Sequence, residues 1–274
     1  SVNNTLPTVQ QLGASDTHTD HFTITAKDGT TKSVDFIIFG TNDSAIISAP
    51  SVSDVKEDAD VTGSRLVATG SISITDIDQN SAKLLTITTP DVANWGNLSL
   101  ASDGSYSYSV DNKLLAVQEL REGETHIDYF SVTALDGTTK TVSFSIVGTN
   151  DSAVIGNAVA TTVTEDTASV SNQLIASGSI SIFDADKGQA SFLTWLNSSA
   201  DNLGVLMLSS NGNYVYSVDN SLAGVQHLEA GDSHTDHFTV TSLDGTTKVL
   251  SFTINGVNDL YLIGTPTITT VVED

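Results

Sequence analysis

Apolar and polar residues alternate along much of the chain in runs that are short enough to be β-strands. Tyr106, Tyr108 and Val110 alternate with serine and aspartate, and Phe130 and Val132 begin a second run with the same period. A period of two built from aromatic and β-branched residues predicts strands that bury one face. Further runs of this kind include SISI, NLSL and the segment from 142 to 146. The pattern therefore predicts a protein made mainly of β-strands.

Turn residues separate these runs. Asp136-Gly137 lies between two of them, and an Asp-Gly pair in that position predicts a hairpin with positive φ at both turn residues. The only helical signal is the short stretch 113–120, which is long enough for about one turn. Seven or so strands in roughly 100 residues predict an immunoglobulin-like β-sandwich.

The pattern repeats every 108 residues without a gap. The string DGTTK begins at Asp28, Asp136 and Asp244. The strings G-x-N-D and V-x-E-D keep the same register, beginning at Gly40, Gly148 and Gly256 and at Val55, Val163 and Val271. Self-similarity at a fixed period indicates a tandem array, and this period suits a whole small domain. The fold class predicted is all-β, with tandem sandwich repeats in an elongated array.

The repeat register predicts four segments. Residues 1–49 are the C-terminal part of a first sandwich, 50–157 and 158–265 are complete repeats, and 266–274 begin a further repeat. Because the joints are short and not rich in Gly and Ser, they are not expected to act as flexible linkers. We expect the chain to be a slice of a longer protein. Residues 1–49 are expected to have an apolar face that lacks its partner sheet.

The charge balance narrows the possible partners. There are 33 acidic residues and 10 basic ones, for a net charge of −23. This disfavours nucleic acids and anionic membranes, which are bound by Lys and Arg, and it favours cations. The chain has no cysteine, which excludes disulfides and cysteine-based zinc sites. No apolar run approaches the length of a membrane span.

Some acidic residues change between repeats, whereas others recur at each equivalent position, and one recurring position is an Asn-Asp pair. The recurring positions lie at predicted strand ends, which meet at the poles of a sandwich. Carboxylates that converge there repel one another unless a cation lies between them. The predicted metal ligands are Asn42, Asp43, Glu57, Asp58, Asp76, Asp78, Asp136, Asn150, Asp151, Glu165, Asp166, Asp184, Asp186, Asp244, Asn258 and Asp259.

Calcium is the metal that best suits these residues, because it takes six to eight oxygen ligands in adaptable geometry. Magnesium requires a tighter octahedron, and zinc and copper prefer His or Cys. An alternative stays open for single residues: Asp136 also fits an Asp-Gly turn that binds no metal. The segment from Asp184 to Gly188 matches only the opening of a helix–loop–helix calcium loop.

Several strings resemble the VCBS-type repeats of large bacterial surface and secreted proteins, many of them RTX and BapA-like adhesins. The strings are ASGSISI at Ala176, Y-x-Y-S-V-D-N at Tyr106 and Tyr214, HTDHF at His18 and His234, and DGTTK with GTND. The resemblance implies cadherin-like sandwiches with Ca²⁺ between consecutive domains. It also implies an extracellular, calcium-rigidified spacer that supports cell adhesion or biofilm formation.

The resemblance also implies a ligand set for each joint. Glu57 resembles the early glutamate of a cadherin domain, and Asn150-Asp151 resembles the Asn-Asp of the linker. Asp184 and Asp186 resemble the Asp-x-Asp of the following domain, and Asp244 its late aspartate. By the same logic, the ligands at the first joint are Asn42, Asp43, Asp76, Asp78 and Asp136. The partners implied are calcium ions and neighbouring repeats, without insertion into a membrane; the adhesion target is expected to bind elsewhere in the parent protein.

The sequence also bears on two other functions, an enzyme and a ligand-binding module. An enzyme is not expected, because no nucleophile elbow or phosphate loop is present and the repeats are near-copies. His18 and His21 are three positions apart on a predicted strand, so they point to opposite faces. A glycan- or protein-ligand-binding module is the alternative, with Trp95 and Trp195 as candidate stacking residues.

Overall fold

The computed structural model describes residues 1–167, 171–260, 263–264 and 273. The chain divides into two compact units, Ser1–Asn150 and Asp151–Asp274. The start of a further repeat predicted at 266–274 lies outside the described residues, except for the exposed Glu273. In the part of the chain that is described, no helix is long and apolar enough to cross a membrane.

The first unit is built almost entirely of strands. Its elements are α1 (Pro7–Gln10), β1 (Thr17–Thr25), β2 (Thr31–Phe39), β3 (Ile46–Pro50), β4 (Asp54–Lys56), β5 (Arg65–Thr75), β6 (Thr89–Pro90), β7 (Asn97–Leu100), β8 (Ser105–Asp111), α2 (Leu115–Gln118), β9 (Thr125–Thr133) and β10 (Thr139–Val147). The short helix α2 lies within the stretch that the sequence predicted to be a helical turn.

Residues 45–150 of this unit form a β-sandwich. One sheet has the strand order β3-β5-β8-β7 and the other has the order β4-β10-β9-β6, with β4 parallel to β10. Alternate residues of both sheets point into one apolar core, where the ring of Tyr108 stacks on Phe144 with centroids 4.5 Å apart. The prediction of an all-β sandwich is therefore confirmed.

The second unit repeats this arrangement. Its elements are β11 (Val154–Ile155), β12 (Thr162–Thr164), β13 (Gln173–Ser179), β14 (Ile182–Phe183), β15 (Asn197–Ser198), β16 (Gly204–Leu208), β17 (Asn213–Asp219), α3 (Ala223–Gln226), β18 (Ser233–Thr241) and β19 (Thr247–Asn255). The sheet β12-β19-β18-β15 packs on β13-β17-β16, while β11 pairs with β14. Tyr216 stacks on Phe252 at 4.6 Å, as its counterpart does in the first unit.

The turn between β9 and β10 differs from the expected form. Of the two residues Asp136 and Gly137, only Gly137 has a positive φ, of 90°. The expectation of a positive φ at Asp136 is therefore wrong. The amide of Gly137 donates to the carbonyl of Ala134, and the amide of Ala134 donates to the carbonyl of Thr138. This three-residue loop ends in a left-handed glycine, which is another common hairpin connection. It leaves Asp136 free to accept hydrogen bonds with its side chain.

Residues 17–39 form a separate two-stranded hairpin. Strands β1 and β2 are antiparallel and form nine pairs of facing residues, from Thr17 with Phe39 to Thr25 with Thr31. Both strands hold exposed aromatic residues, among them Phe22 and Phe36. The assignment of residues 1–49 to the C-terminal part of a first sandwich stays a prediction.

Candidate metal centre

Three short segments bring acidic side chains to one end of the sandwich in the first unit. Asp43 lies just before β3, Asp76 and Asp78 follow β5, and Asp136 lies in the turn between β9 and β10. Because β3 and β5 are antiparallel, with Ile46 opposite Thr75, the start of one strand lies beside the end of the other. The fold therefore gathers residues that are up to about 90 positions apart in sequence.

Backbone amides hold these carboxylates in place. The amide of Asp43 donates to Oδ2 of Asp78 at 3.0 Å, and the amide of Asp78 donates to Oδ1 of Asp76 at 2.9 Å. The amide of Ala45 donates to Oδ2 of Asp136 at 3.0 Å, and the Asn42 side chain also bonds to this carboxylate. The segment from 42 to 45 is thus bonded directly to acidic side chains of the sandwich that follows it.

Two oxygens of this cluster are buried without a hydrogen-bond donor, namely Oδ2 of Asp76 and Oδ1 of Asp78. Asp78 is only 3% exposed. Burying a charged oxygen without a partner is costly, by about 1–3 kcal/mol or more. A cation that accepted these oxygens as ligands would remove that cost.

The second unit has the same cluster 108 residues later. The amide of Asp151 donates to Oδ2 of Asp186 at 3.1 Å, and the amide of Asp186 donates to Oδ1 of Asp184 at 3.0 Å. The amide of Ala153 donates to Oδ2 of Asp244 at 3.0 Å. Oδ2 of Asp184 and Oδ1 of Asp186 are again buried without a donor. The feature therefore belongs to the repeat.

Mutual repulsion affects the acids of the second cluster. Burial raises the pKa of Asp186, and the nearby charges of Asp184, Asp151 and Asp244 raise it further. Burial also raises the pKa of Asp184, to which the charge of Asp244 adds. These four carboxylates are therefore close enough to act on one another electrostatically. Bringing positive charge to this end of the unit would favour their ionised forms.

The turn aspartates behave differently. Burial acts to raise the pKa of Asp136, but hydrogen bonds from Thr138, Ala45 and Asn42 outweigh it and lower the pKa to about 2. Asp244 has the corresponding donors in Ser242, Thr246 and Ala153, which hold its pKa below the ordinary value despite burial. Each cluster therefore contains one firmly ionised carboxylate that is fixed by its own turn.

The predicted ligands Glu57 and Asp58 lie at the opposite end of the sandwich, where β10 ends. Glu57 is fully buried and accepts hydrogen bonds from Nε2 of Gln118 at 2.9 Å and from the amide of Thr149 at 3.1 Å. Asp58 accepts a hydrogen bond from Nδ2 of Asn112 at 2.6 Å. Nine residues of β10 separate this end from the Asp136 turn, a span of about 30 Å.

Glu165 and Asp166 occupy the same positions in the second unit. Glu165 is fully buried and accepts from Nε2 of Gln226 at 3.0 Å and from the amide of Val257 at 3.2 Å. Asp166 accepts from Nδ2 of Asn220 at 2.7 Å. Within each unit, then, the predicted ligands form two sets, one at each end of the sandwich.

The remaining predicted residues lie in the segments that follow β2, β10 and β19. The amide of Asn150 donates to Oε2 of Glu122 at 3.1 Å. Asn258 and Asp259 are both exposed after β19. Nδ2 of Asn42 donates to the carbonyl of Asp43 at 3.0 Å, in addition to its bond with Asp136.

One acid beside the first cluster was not predicted from the sequence. Oδ2 of Asp16 accepts a hydrogen bond from the amide of Gly13 at 3.1 Å. A Cβ placed on Gly13 would be 3.6 Å from Oδ2 of Asp16 and 3.7 Å from Oδ2 of Asp78, so both acids flank this glycine. Glu124 and Asp232 stand at the equivalent positions of the later repeats. That recurrence of an acid was the signal that could have identified it.

A second set of recurring acids also went unrecognised. Asp128 is fully buried and accepts hydrogen bonds from the amides of Trp95 and Gly96, at 2.9 and 2.6 Å, and from the hydroxyl of Tyr108 at 2.8 Å. Asp236 makes the same three bonds in the second unit with Leu203, Gly204 and Tyr216. Three donors satisfy each carboxylate, so these residues serve the core and are not free to bind a metal.

The clusters around Asp78 and Asp186 have the chemistry of a metal site but are not closed around one. Among the described residues, no group of three or more His, Cys, Asp and Glu side chains is already arranged as a metal site. The buried oxygens of Asp76, Asp78, Asp184 and Asp186 nevertheless have no donor, and every nearby side chain of the clusters offers oxygen. The chemistry of this donor set fits a hard cation such as calcium.

No protein-family model matches the sequence, and no curated protein is similar to it. Solved structures that resemble the chain include a fragment named PcdhgB3 EC1-4, the human desmocollin-1 ectodomain and mouse cadherin-23 EC22-24. Their sequence identities are 11%, 13% and 12%, with TM-scores of 0.47, 0.38 and 0.44. The matches cover 87%, 86% and 89% of this chain and 64%, 47% and 74% of those structures. The chain thus spans less than two thirds of the first two; the fold assignment rests on the strand pairings described above.

Proposed function

We propose that the chain is a calcium-stiffened spacer of a large secreted or cell-surface bacterial adhesin. The observation that carries this proposal is the repeated pair of buried carboxylate oxygens without donors, in Asp76 and Asp78 and again in Asp184 and Asp186. A buried carboxylate oxygen without a donor is unfavourable on its own but can serve as a ligand for a cation. Their recurrence in near-identical repeats supports a structural role over a single active site.

Calcium would be held at the first cluster by Asp76, Asp78 and Asp136, with Asn42 and Asp43 from the preceding segment. Asp16 is an additional candidate, because it lies beside Asp78 at Gly13. In the second unit the corresponding residues are Asp151, Asp184, Asp186 and Asp244. When bound, the ion supplies positive charge that offsets the repulsion among these carboxylates.

At the first joint, which is the segment 42–45 between β2 and β3, the backbone itself would transmit stiffness. The amides of Asp43 and Ala45 are bonded to Asp78 and Asp136 of the next sandwich. The amide of Gln79 donates in turn to the carbonyl of Gln11, which lies in the preceding segment. The acids that would bind the ion therefore also hold the connecting backbone. Fixing them with calcium would limit bending there, and the 108-residue register predicts the same at later joints.

The magnitude of the effect is sufficient for a small domain. Calcium sites of extracellular modules have dissociation constants of roughly 0.1–1 mM. At a hundredfold excess of calcium over the dissociation constant, binding stabilises the folded state by about 2.7 kcal/mol per site. Outside the cell this would stiffen the spacer, whereas cytosolic calcium is too low to do so. The motifs that resemble VCBS-type repeats support the bacterial surface origin.

Calorimetric melting in calcium and in EDTA tests this function. We expect calcium to raise the Tm of the full chain, and small-angle scattering to give a larger maximum dimension in calcium than in EDTA. The double variant Asp78→Asn/Asp186→Asn should lose most of both effects. The control Asp103→Asn/Asp201→Asn changes two exposed acids and should keep them. A Tm that is the same in calcium and EDTA would contradict the proposal.

One observation favours the alternative of a ligand-binding module. Trp195 is 59% exposed, as expected for a residue that stacks on a sugar ring. Trp95, by contrast, is half-buried and stacks on His126 with ring centroids 3.6 Å apart. A glycan-array signal that is lost in Trp195→Ala and kept in Trp95→Ala would support this alternative.

A further inference from the structure

The outer face of the sheet β13-β17-β16 in the second unit is apolar. The inner face of this sheet packs on β12-β19-β18-β15, so the sandwich itself leaves the outer face to solvent. Four large hydrophobic residues are exposed on the outer face, namely Ile175, Val205, Met207 and Val215. Val205 is 62% exposed and Met207 is 67% exposed. The second unit therefore presents to solvent the kind of side chain that usually lies in a core.

The first unit has a polar surface at the same place. The equivalents of Val205, Met207 and Val215 are, in that order, Asn97, Ser99 and Ser107. Strands β7 and β8 form the same sheet with these polar residues on its outer face. The fold thus does not need apolar residues at these positions, and an exposed apolar patch without a role in folding indicates a contact surface.

The outer face is also nearly uncharged, although the chain is strongly acidic. The net charge of the chain is −23. The only charged side chain that β13, β16 and β17 place on the outer face is Asp219, at the end of β17. Its cross-strand neighbour Gln173 stands at the position of Arg65 in the first unit. A charged partner finds no counter-charge here, whereas a second copy of the same face meets it without the repulsion that separates two acidic chains elsewhere.

The order of the side chains lets the outer face pack against a copy of itself. Cross-strand pairing sets them in two rows, which are Ile175–Ser217–Val205 and Ser177–Val215–Met207. A two-fold axis parallel to β17 would place β16 of one copy over β13 of the other and keep each row over itself. Met207 would then lie over the small Ser177 of the second copy, and Ser217 would face Ser217. Large side chains would meet smaller ones, as close packing requires.

From these observations we infer that the outer face of β13-β17-β16 is a self-association surface, on which a second copy of the chain packs face to face through the same residues. The sheet is three strands wide and its strands are five to seven residues long. Strand spacing and rise give such a face an area of about 300 Å², compared with the roughly 800 Å² per partner of a stable complex. The contact is therefore weak between free chains and stronger where many chains are held side by side.

Sedimentation velocity of the full chain measures this association. At about 0.15 M salt, where charge repulsion is screened, we expect the weight-average mass to rise between about 10 µM and 1 mM protein. The double variant Val205→Asn/Met207→Ser installs the residues of the first unit and should lower the association constant at least tenfold. The matched control Val249→Thr also installs the first-unit residue, but on the outer face of the other sheet, where Val249 is 59% exposed. It should leave the association constant within twofold.

A single introduced cysteine tests the arrangement of the two copies, since the chain has no cysteine of its own. Ser217→Cys places a thiol near the two-fold axis, and a short bismaleimide should join two chains through it. Ser251→Cys, on the outer face of the other sheet, should give much less cross-linked product. Adding Val205→Asn/Met207→Ser to Ser217→Cys should remove most of the product.

The reverse exchange gives the first unit the same face. The triple variant Asn97→Val/Ser99→Met/Ser107→Val should associate more strongly than the unchanged chain and form species larger than dimers.

The inference is overturned if the chain stays monomeric up to about 1 mM, if Val205→Asn/Met207→Ser associates as strongly as Val249→Thr, or if the two cysteine variants cross-link equally. Association through the exposed aromatic residues of the β1–β2 hairpin would produce the second of these results. The readouts are mass and cross-linking, not the change of Tm with calcium, so the inference and the proposed function can fail independently.

Discussion

The backbone amide of Asp43 donates a hydrogen bond to Oδ2 of Asp78 at 3.0 Å, while Oδ1 of Asp78 stays buried without a donor. One oxygen of this carboxylate therefore holds the connecting segment, and the other has no donor and is the one that we propose binds a cation. The same division recurs between Asp151 and Asp186 at 3.1 Å. Replacing such an aspartate by asparagine is therefore expected to affect stability in opposite ways with and without calcium.

In EDTA, Asp186→Asn is expected to stabilise the second unit. Burial and three neighbouring carboxylates raise the pKa of Asp186, so its charge is unfavourable in the metal-free fold. An amide in its place can donate a hydrogen bond where the buried oxygen cannot. The expected gain in the free energy of unfolding is about 1 kcal/mol. Calorimetry should show a higher Tm in EDTA and a smaller increase with calcium, whereas the exposed control Asp201→Asn should change neither.

The stabilisation by calcium should decrease as the pH falls. The folded-state pKa values of Asp184 and Asp186 are raised above 3.8, so their contribution to stability is full below 3.8 and is lost as the pH rises through the raised values. Calcium needs the ionised forms and therefore competes with protons. The calcium-dependent increase in Tm should be smaller at about pH 4.5 than at about pH 7. An equal increase at both values would contradict proton competition.

Asp136 should have the opposite dependence on pH. Its folded-state pKa, about 2, is below the ordinary 3.8, so the stability it contributes is present above 3.8 and is lost as the pH falls toward 2. Acid unfolding of the first unit should therefore begin at a higher pH in Thr138→Val, which removes a hydroxyl that bonds to this carboxylate at 2.6 Å. Circular dichroism against pH measures this change, with Thr88→Val as the comparison, since the Thr88 hydroxyl bonds to a carbonyl and to no acid.

Asp128→Ala is expected to destabilise the first unit by about 3 kcal/mol or more, because it leaves buried donors unpaired. The matched variant Asp20→Ala removes the same residue at the equivalent position of the hairpin, where the side chain is 40% exposed. It should cost less than about 0.5 kcal/mol. Urea unfolding followed by Trp95 fluorescence, in a Trp195→Phe background, measures both. Equal costs would show that the Asp128 network adds nothing to the core.

Two glycines with similar backbone angles should respond differently to alanine. Gly104 has φ 86° and Gly137 has φ 90°, so each substitution adds strain of about 1–2 kcal/mol. A Cβ on Gly104 would also run into the carbonyl oxygen of Ile72, whereas a Cβ on Gly137 meets nothing within 4 Å. Gly104→Ala should therefore cost at least about 1 kcal/mol more than Gly137→Ala. Thermal unfolding of the two variants measures the difference.

Local structure was largely predictable because it depends on neighbouring residues. The alternation in SYSYSV predicted β8, the NLSL run predicted β7, and the single helical turn was found as α2. The Asp136-Gly137 pair indicated the hairpin but not its turn type, because several loops accept this pair. The acids Asp16 and Asp128 were missed because an acidic residue on its own does not show whether backbone amides or solvent surround it.

The sequence by itself determined the 108-residue period, the all-β class and the positions at which acids recur, since each is a property of residue order and type. Only the tertiary structure decided how each carboxylate is used. It divided the recurring acids between the two ends of each sandwich, placed Asp128 and Asp236 among three donors, and left one buried oxygen of Asp78 and of Asp186 without any. The reason is that their partners are 20 to 35 residues away and are brought within hydrogen-bond distance only by the pairing of strands.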